Sequence, residues 1–322
     1  MKKILIAGGA GFIGSNLCKE FVDSNYEVSV FDNNIQYFYP MNKFSIRNMD
    51  YRHKVLLKNV NLIRGNTLDN NDLRRAINNI KPNYIVNLAA LPLAVTAIKN
   101  TEEAFSSILQ TTQNFLEIIR DINFLDKYVH ISSSMIYGDF QDEPNPEAAK
   151  KEPKEIYGSF KLASEYLVKG YTQRYDLKSV IIRPSAVYGP TDNNYRVIQK
   201  FIENILDKKK IIANNPDSNR LDFTYVKDLV NGIKLATVKD TGNLEIFNLT
   251  RGEGRTLKDV IEILKSKIGD FQIEINQDKS FYPKRGTLDI SNAKSKLGFN
   301  PKYNLEKGID NYLSYLKEND KY

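Results

Sequence analysis

Short apolar runs alternate with stretches of helical period along the first 184 residues. Residues 3–7 (KILIA) are continuously apolar, residues 11–21 space their apolar side chains as a helix does, and residues 27–31 are apolar again. The alternation returns with a strand-like run at 59–65 (NVNLIRG), a helix-like segment at 71–80, an apolar run at 84–90 (YIVNLAA), a long helical segment at 102–120 and a run at 128–132 (YVHIS). A second long helix, 156–175, leads into 179–184 (SVIIRP). Strands apolar on both faces and separated by helices predict a parallel sheet covered on both sides. This is an α/β, doubly wound (Rossmann) architecture.

Beyond Pro184 the rhythm breaks. Turn-rich segments at 188–194 (YGPTDNN) and 214–220 (NNPDSNR) interrupt short helices. With 322 residues the chain suits two domains, expected at 1–182 and 183–322, the second smaller and mixed. Within 221–250, the runs DFTYV (222–226) and LEIFNLT (244–250) are candidates to return to the first sheet.

The first predicted strand runs directly into GGAGFIGSN (8–16), with four glycines in seven positions. Each glycine in regular structure costs roughly 0.5–1 kcal/mol relative to alanine, so the cluster points to something approaching the backbone closely. Gly9, Gly11 and Gly14 form GxGxxG, with Gly8 completing an overlapping three-residue spacing. A strand before, a helix after and Asp32 at the end of the next strand (VFDNN) give the context that a dinucleotide-binding loop requires. The pyrophosphate would meet the helix N-terminus. Asp32 would accept hydrogen bonds from the adenosine ribose and repel a 2′-phosphate, and no arginine is adjacent, so NAD is favoured over NADP.

Tyr157 and Lys161 in YGSFK stand four apart near the start of the second long helix and share a face. Lowering a phenol by ~3 units from its ordinary value near ~10 needs about 4 kcal/mol of preferential phenolate stabilisation. A neighbouring ammonium and a positive nicotinamide ring would supply it, making Tyr157 an acid and base for a sugar or alcohol hydroxyl. The serine run of ISSSMIYG (131–138) ends the fifth predicted strand, where ligands of open parallel sheets sit.

Composition narrows the picture further. No apolar run approaches the ~20 residues of a membrane span, and no secretory signal is evident, so a cytoplasmic protein is expected. The formal charge of +7 is spread along the chain rather than gathered, which argues against a nucleic-acid partner. The single cysteine, Cys18, falls in an apolar helical pattern and reads as core. The sequence holds no metal-ligand cluster. His53 and His130 are given no catalytic role, His130 being expected as a hydrogen-bonded core residue.

Taken together, GGAGFIG, VFDN, VNLAA, SSSMIYG, YGSFK, RPSAVYGP, DFTYVKDL, FNLTRGEGRTL and SKLGFNPKYNLEKGI resemble the extended short-chain dehydrogenase/reductases, in the NAD-dependent nucleotide-sugar epimerase/dehydratase family, across nearly the whole chain. The resemblance implies Ser133 as the catalytic hydroxyl, Tyr157 as the acid/base and Lys161 as the residue holding the nicotinamide ribose. It implies cofactor contacts from Gly8, Gly11, Phe12, Ile13, Gly14, Asp32, Asn33, Asn66, Thr67, Leu88, Ala89 and Ala90. It also implies a homodimer through the helices at 102–120 and 156–175.

Dehydratases of the family carry Asp-Glu after the catalytic hydroxyl residue, and decarboxylases keep the Glu. Here those positions are Ser134 and Met135, neither able to transfer a proton near neutral pH. Epimerisation of a nucleotide sugar, most simply at carbon 4 of a UDP-hexose through a transient keto sugar, is the expected activity. A keto-reductase or a dehydratase/decarboxylase of the same family is the alternative enzyme, and an NAD-binding sensor or RNA-binding protein the alternative outside catalysis. Departures from the family pattern leave the substrate open: Ala186 replaces the Asn of RxxNVYGP, Ala97 a Ser, Asn66 an acid, and Arg220 is displaced by one position from the usual Arg-Asp-Phe. Arg220, Lys284 and Arg285 are candidates to clamp a diphosphate.

Overall fold

A computed structural model describes residues 1–37, 40–218, 220–277 and 283–319; Asn219, within the turn-rich segment 214–220, lies outside the described residues. The chain order opens β1 (Lys3–Ala7), α1 (Phe12–Asp23), β2 (Glu27–Asp32), α2 (Lys43–Tyr51), β3 (Asn61–Arg64), α3 (Asn70–Ile80), β4 (Tyr84–Asn87), α4 (Ala94–Lys99), α5 (Thr101–Phe105) and α6 (Thr111–Ile119). It continues with β5 (Lys127–Ile131), α7 (Ile156–Tyr175), β6 (Ser179–Pro184), β7 (Val187–Tyr188), α8 (Val197–Leu206), β8 (Ile211–Asn214), β9 (Arg220–Asp222), β10 (Thr224–Tyr225) and α9 (Val226–Val238). The last elements are β11 (Leu244–Leu249), β12 (Gly254–Thr256), α10 (Leu257–Ile268), β13 (Ile273–Asn276) and α11 (Leu305–Glu318). A π-helical stretch, Ser106–Gln110, joins α5 to α6, so the expected long helix at 102–120 is continuous but not uniformly α.

Seven parallel strands form the central sheet in the order β11-β6-β5-β4-β1-β2-β3. The period of two divides each strand between two cores. Ile4 and Ile6 of β1, Val86 of β4 and Val180 and Ile182 of β6 pack with Phe12, Leu17 and Phe21 of α1 and Leu229 and Ile233 of α9. Leu5 and Ala7, Ile85 and Ile181 face the other way, onto Leu73 and Ile77 of α3, Phe115 and Leu116 of α6 and Val168 of α7. This is why the strands read as unbroken apolar runs.

Of the two segments that might have rejoined the sheet, Leu244–Leu249 does so as edge strand β11, in register with β6. Asp222 and its neighbours instead make two small pairings, β9 with β12 and β10 with β7. A third core gathers Ile198, Phe201 and Ile202 of α8, Val260 and Leu264 of α10 and Ile309, Tyr312 and Leu316 of α11. Its members Ile198 and Phe201 border the cleft described next.

Candidate active site

The strand order reverses between β1 and β4, and the crevice outside their carboxyl ends is where an open α/β sheet takes a ligand. Here it is a cleft of about 1080 Å³. Every residue that the sequence offered as a cofactor or substrate contact borders it: Gly8, Gly11, Phe12, Ile13 and Gly14 at its floor, Asp32, Asn33, Asn66 and Thr67 at one end, Leu88, Ala89 and Ala90 on β4's side, and Ser133, Tyr157 and Lys161 opposite. Ser134, Met135, Ala186, Arg220, Lys284 and Arg285 border the remainder.

The glycine loop divides its work. Gly8 sits at φ +74°, where a Cβ would lie 2.8 Å from the Ala89 nitrogen, so this glycine lets the loops after β1 and β4 meet. A Cβ on Gly9 would strike the Val30 side chain at 2.4 Å, and one on Gly14 would come within 2.3 Å of the Gly8 oxygen. Those three are required by the protein's own packing. Gly11 is different, since its Cβ would meet only the Gly8 oxygen at 3.3 Å and the position opens toward the cleft. The first turn of α1 thus presents backbone N–H groups over a floor free of side chain, the arrangement an anion needs.

Asp32 ends β2 with its carboxylate held to the loop: Oδ2 accepts from the Ala10 N–H at 2.9 Å and Oδ1 from the Asn34 N–H at 2.8 Å. Each oxygen keeps lone-pair capacity for a ribose hydroxyl. Thr67 hydrogen-bonds Thr111 at 2.8 Å and its carbonyl accepts from Asn114, fixing the loop after β3. These features fit a dinucleotide along the floor of the cleft.

Opposite, Ser133 stands in extended backbone (φ −160°) and caps the short 3-10 turn Ser134–Tyr137, its hydroxyl accepting from the Met135 N–H at 3.2 Å. The same hydroxyl lies near the Tyr157 phenol and helps draw its pKa down. Lys161, one turn along α7, lies 5.8 Å from the centroid of the Tyr157 ring and donates to the Ile131 carbonyl at 2.8 Å, leaving two ammonium protons for other acceptors. Gly158 allows this approach, because a Cβ there would sit 2.6 Å from the Met135 oxygen.

Burial pushes the Tyr157 phenol above its ordinary value, while the Arg196 guanidinium and the Ser133 hydroxyl pull it down. The sequence pattern pointed to a lowered phenol. The chain by itself does not deliver one, and a lower value requires positive charge beyond that of its own side chains. Burial also holds the Lys161 ammonium down, to about 8, against the raising influence of Glu165. His130 is core, as expected: it hydrogen-bonds Ser164 at 2.8 Å, and burial, then the Lys161 charge, keep it well below its usual range.

The basic candidates differ. Arg220 borders the cleft, yet its guanidinium is taken by Glu143 at 2.9 Å and the Gly254 carbonyl at 3.0 Å. Lys284 is exposed and anchored by its backbone N–H to Asp139 at 2.7 Å. Arg285 is half-buried, and its charge acts on Glu155. Ser134 is buried and Met135 half-buried, placing no carboxylate beside Ser133 on that turn.

Two cleft residues had no sequence signal. Arg196 caps α8, pairs with Asp192 at 2.8 Å and lies 5.7 Å from the centroid of the Phe12 ring. Glu155, two residues before Tyr157, has a buried Oε2 without a hydrogen-bond partner, and burial raises its pKa. An orphaned carboxylate oxygen bordering the cleft suits a hydroxyl-bearing ligand. Neither belongs to a spacing motif, because each reaches the cleft through the fold of a loop. Among the described residues there is no group of three or more potential metal ligands and no helix long and apolar enough to cross a membrane.

Comparison with known proteins agrees with this geometry. The family model for GDP-mannose 4,6 dehydratase matches residues 5–312. An uncharacterized UDP-glucose epimerase of Bacillus subtilis is 29% identical over 317 residues, covering 98% of this chain and 98% of its own. The structure of UDP-glucuronic acid 4-epimerase from Bacillus cereus, in complex with UDP-glucuronic acid and NAD, is similar with a TM-score of 0.87 and 28% identity over 98% of this chain and 99% of that one. UDP-glucose 4-epimerase from Thermotoga maritima, with UDP-glucose, gives a TM-score of 0.88 and 25% identity over 99% and 100%. By its seven-stranded parallel sheet and a match running nearly its full length, the chain belongs to the GDP-mannose 4,6 dehydratase family, the extended short-chain dehydrogenase/reductases that its motifs resemble.

Proposed function

We propose that the protein is an NAD-dependent nucleotide-sugar epimerase that inverts carbon 4 of a UDP-hexose. The observation that carries this reading is the Ser133 hydroxyl beside the Tyr157 phenol, with Lys161 5.8 Å from the centroid of its ring and the glycine floor lining the same cleft. Tyr157 takes the proton of the 4-hydroxyl as the carbon is oxidised to a ketone, and Ser133 holds that oxygen by hydrogen bonding. Bound over the glycine floor of Gly8, Gly11 and Gly14, NAD would supply the reversible hydride acceptor for carbon 4. Lys161 holds the nicotinamide ribose and stabilises the phenolate. After the keto sugar turns over, Tyr157 returns the proton, so no net redox change occurs. Arg285 and Lys284 steady the diphosphate from the rim, while Arg220 must first exchange Glu143 for it.

Support against elimination comes from Ser134 and Met135, which supply neither the acid nor the base that a dehydratase needs. A homodimer goes with this reading: Phe105 of α5 is 50% exposed and Tyr166 of α7 is 61% exposed, with Val95 and Ile98 of α4 nearby in the chain and similarly uncovered. So does a cytoplasmic location, since the one cysteine, Cys18, is buried and unbridged.

The test is incubation with NAD and a panel of UDP-sugars, following stereochemistry at each carbon by NMR. Inversion at carbon 4 without net NADH formation or consumption is expected. Stoichiometric NADH consumption with a keto sugar makes the protein a reductase instead.

A further inference from the structure

Behind Ser133, Tyr157 and Lys161 lies a set of buried polar side chains that the proposed reaction does not use. Glu165 is one turn beyond Lys161 on α7, so the two share a face. Its carboxylate and the Arg183 guanidinium of β6 are both fully buried and join through two hydrogen bonds, Nε to Oε1 at 2.9 Å and Nη2 to Oε2 at 2.7 Å. Oε1 also accepts the Ser132 hydroxyl at 2.6 Å. From the far side of the guanidinium, Nη1 donates to the Tyr137 phenolic oxygen at 2.8 Å and the Glu147 carbonyl at 2.9 Å. Tyr137 in turn donates to Asn248 Oδ1 at 2.8 Å.

A buried ion pair seldom gains stability over apolar side chains of the same volume, so what it holds is the better guide to why it is there. Ser132 immediately precedes Ser133, and Tyr137 closes the 3-10 turn that Ser133 caps. Glu165 therefore grips one end of that turn and Arg183 the other. The carboxylate is also the acidic group whose charge acts on Lys161, favouring its protonated form against burial. The other groups facing Lys161 are the Tyr157 ring on α7, the Ile131 carbonyl and His130 on β5, the last held neutral by burial. Glu147 and Lys151, on the loop before α7, act from the Arg183 side. The buried charges Lys161, Glu165 and Arg183 leave one positive charge uncompensated, which a Tyr157 phenolate would balance.

We propose that Glu165 is a positioning residue: paired with Arg183, it fixes both ends of the turn carrying Ser133 and places a buried carboxylate one helical turn beyond Lys161. The catalytic part of this rests on the epimerase reading, whereas the effect on Lys161 does not.

Two measurements on the full chain test it. With lysine ε-carbons labelled with carbon-13, the Lys161 resonance, identified by its loss in Lys161→Arg, is titrated without any ligand. The double variant Glu165→Gln/Arg183→Met removes both charges of the ion pair together, so neither partner is left buried alone, and is expected to move the Lys161 midpoint down by about one unit. A midpoint within about 0.2 units of the parent overturns the claim on Lys161, whether or not the protein epimerises any sugar. Ser132→Ala, which cuts the grip on one end of the turn and leaves the ion pair whole, is expected to lower kcat about tenfold with KM within about twofold. An unchanged kcat in Ser132→Ala overturns the positioning role, and that variant decides the matter if the double replacement does not fold. Absence of epimerisation in the parent protein sinks the epimerase reading and leaves the titration standing.

Discussion

Arg196 and Tyr157 border the same cleft, and the guanidinium draws the phenol's pKa down against the burial that raises it. Arg196 is fixed in that position by Asp192, at 2.8 Å, and by the Phe12 ring. Removing the cation leaves burial less opposed, so the phenol rises further and its base form appears only at higher pH. Arg196→Gln is expected to move the acidic limb of the kcat profile upward by about half a unit to one unit. Tyr157→Phe is expected to lower kcat by roughly 10²–10⁴-fold while leaving NAD binding intact. An Arg196→Gln profile superimposable on the parent's would dismiss the electrostatic role.

The alternating core was legible because each sheet strand is apolar on both faces and each covering helix keeps its period. The second long helix was read at 156–175 and forms over Ile156–Tyr175. Helix α2 was not legible, and the reason is physical. Apart from Phe44, its inward residues are polar: Asn48 donates to the Asp192 carbonyl and to Asn193 Oδ1, each at 3.0 Å, and buried Arg47 lies over the Phe44 and Tyr315 rings. A helix that buries amides and guanidinium groups against a loop distant in sequence has no apolar stripe to find. The same holds for the site. Tyr157, Lys161 and the glycine loop announce themselves by spacing, whereas Arg196 and Glu155 come to the cleft only when the loops at 189–196 and 139–155 fold.

The division of labour within the glycine loop separates packing from ligand binding. Gly14→Ala forces a Cβ into the Gly8 oxygen at 2.3 Å and is expected to destabilise by several kcal/mol, about 3 or more. Gly11→Ala brings its Cβ to 3.3 Å from the Gly8 oxygen, a tight contact that the loop relieves by yielding a few tenths of an ångström, on a backbone (φ −71°, ψ 179°) that alanine adopts freely. Its stability should stay within about 0.5 kcal/mol of the parent, while NAD affinity falls at least tenfold, about 1.4 kcal/mol. Thermal unfolding and titration calorimetry on the two variants read the contrast. Unimpaired NAD binding by Gly11→Ala would mean that the dinucleotide does not cross this floor.

Lys161 carries a pH signature in stability. Its ammonium, ordinarily near 10.5, is held to about 8 in the folded protein. As pH rises through 8 the native state loses this proton before the unfolded chain does. The unfolded chain then binds more protons, and stability rises with pH until the unfolded lysine titrates near 10.5. Below pH 8 the cost of burying the charged amine is present in full. Lys161→Met lacks the term, so the parent's unfolding free energy should gain on the variant's by at most about 1.4 kcal/mol per pH unit across this window. Urea denaturation of both proteins from about pH 7.5 to about pH 9.5 measures the difference. A flat difference would place the amine in a far better solvated setting than the 5% exposure of Lys161 describes.

Ala186 is a strained departure from the family pattern. It lies at φ +37° on the cleft wall, between β6 and β7, and its carbonyl accepts from the Thr224 N–H at 3.3 Å. An L-residue with a Cβ loses about 1 kcal/mol or more in the left-handed region, where asparagine is tolerated best after glycine. The resemblance places asparagine at this position, so the backbone has kept a shape that the alanine does not favour. Ala186→Asn is therefore expected to raise the unfolding free energy by about 0.5–1 kcal/mol, a rise of a few degrees at most in thermal midpoint for a chain of this size. It also restores an amide on the cleft wall beside the candidate diphosphate clamps, so KM for the UDP-sugar should fall with kcat little changed. Should the midpoint drop instead, the methyl group is packed against neighbours that the larger amide displaces, and the strain at this turn is balanced by contact rather than tolerated for want of asparagine.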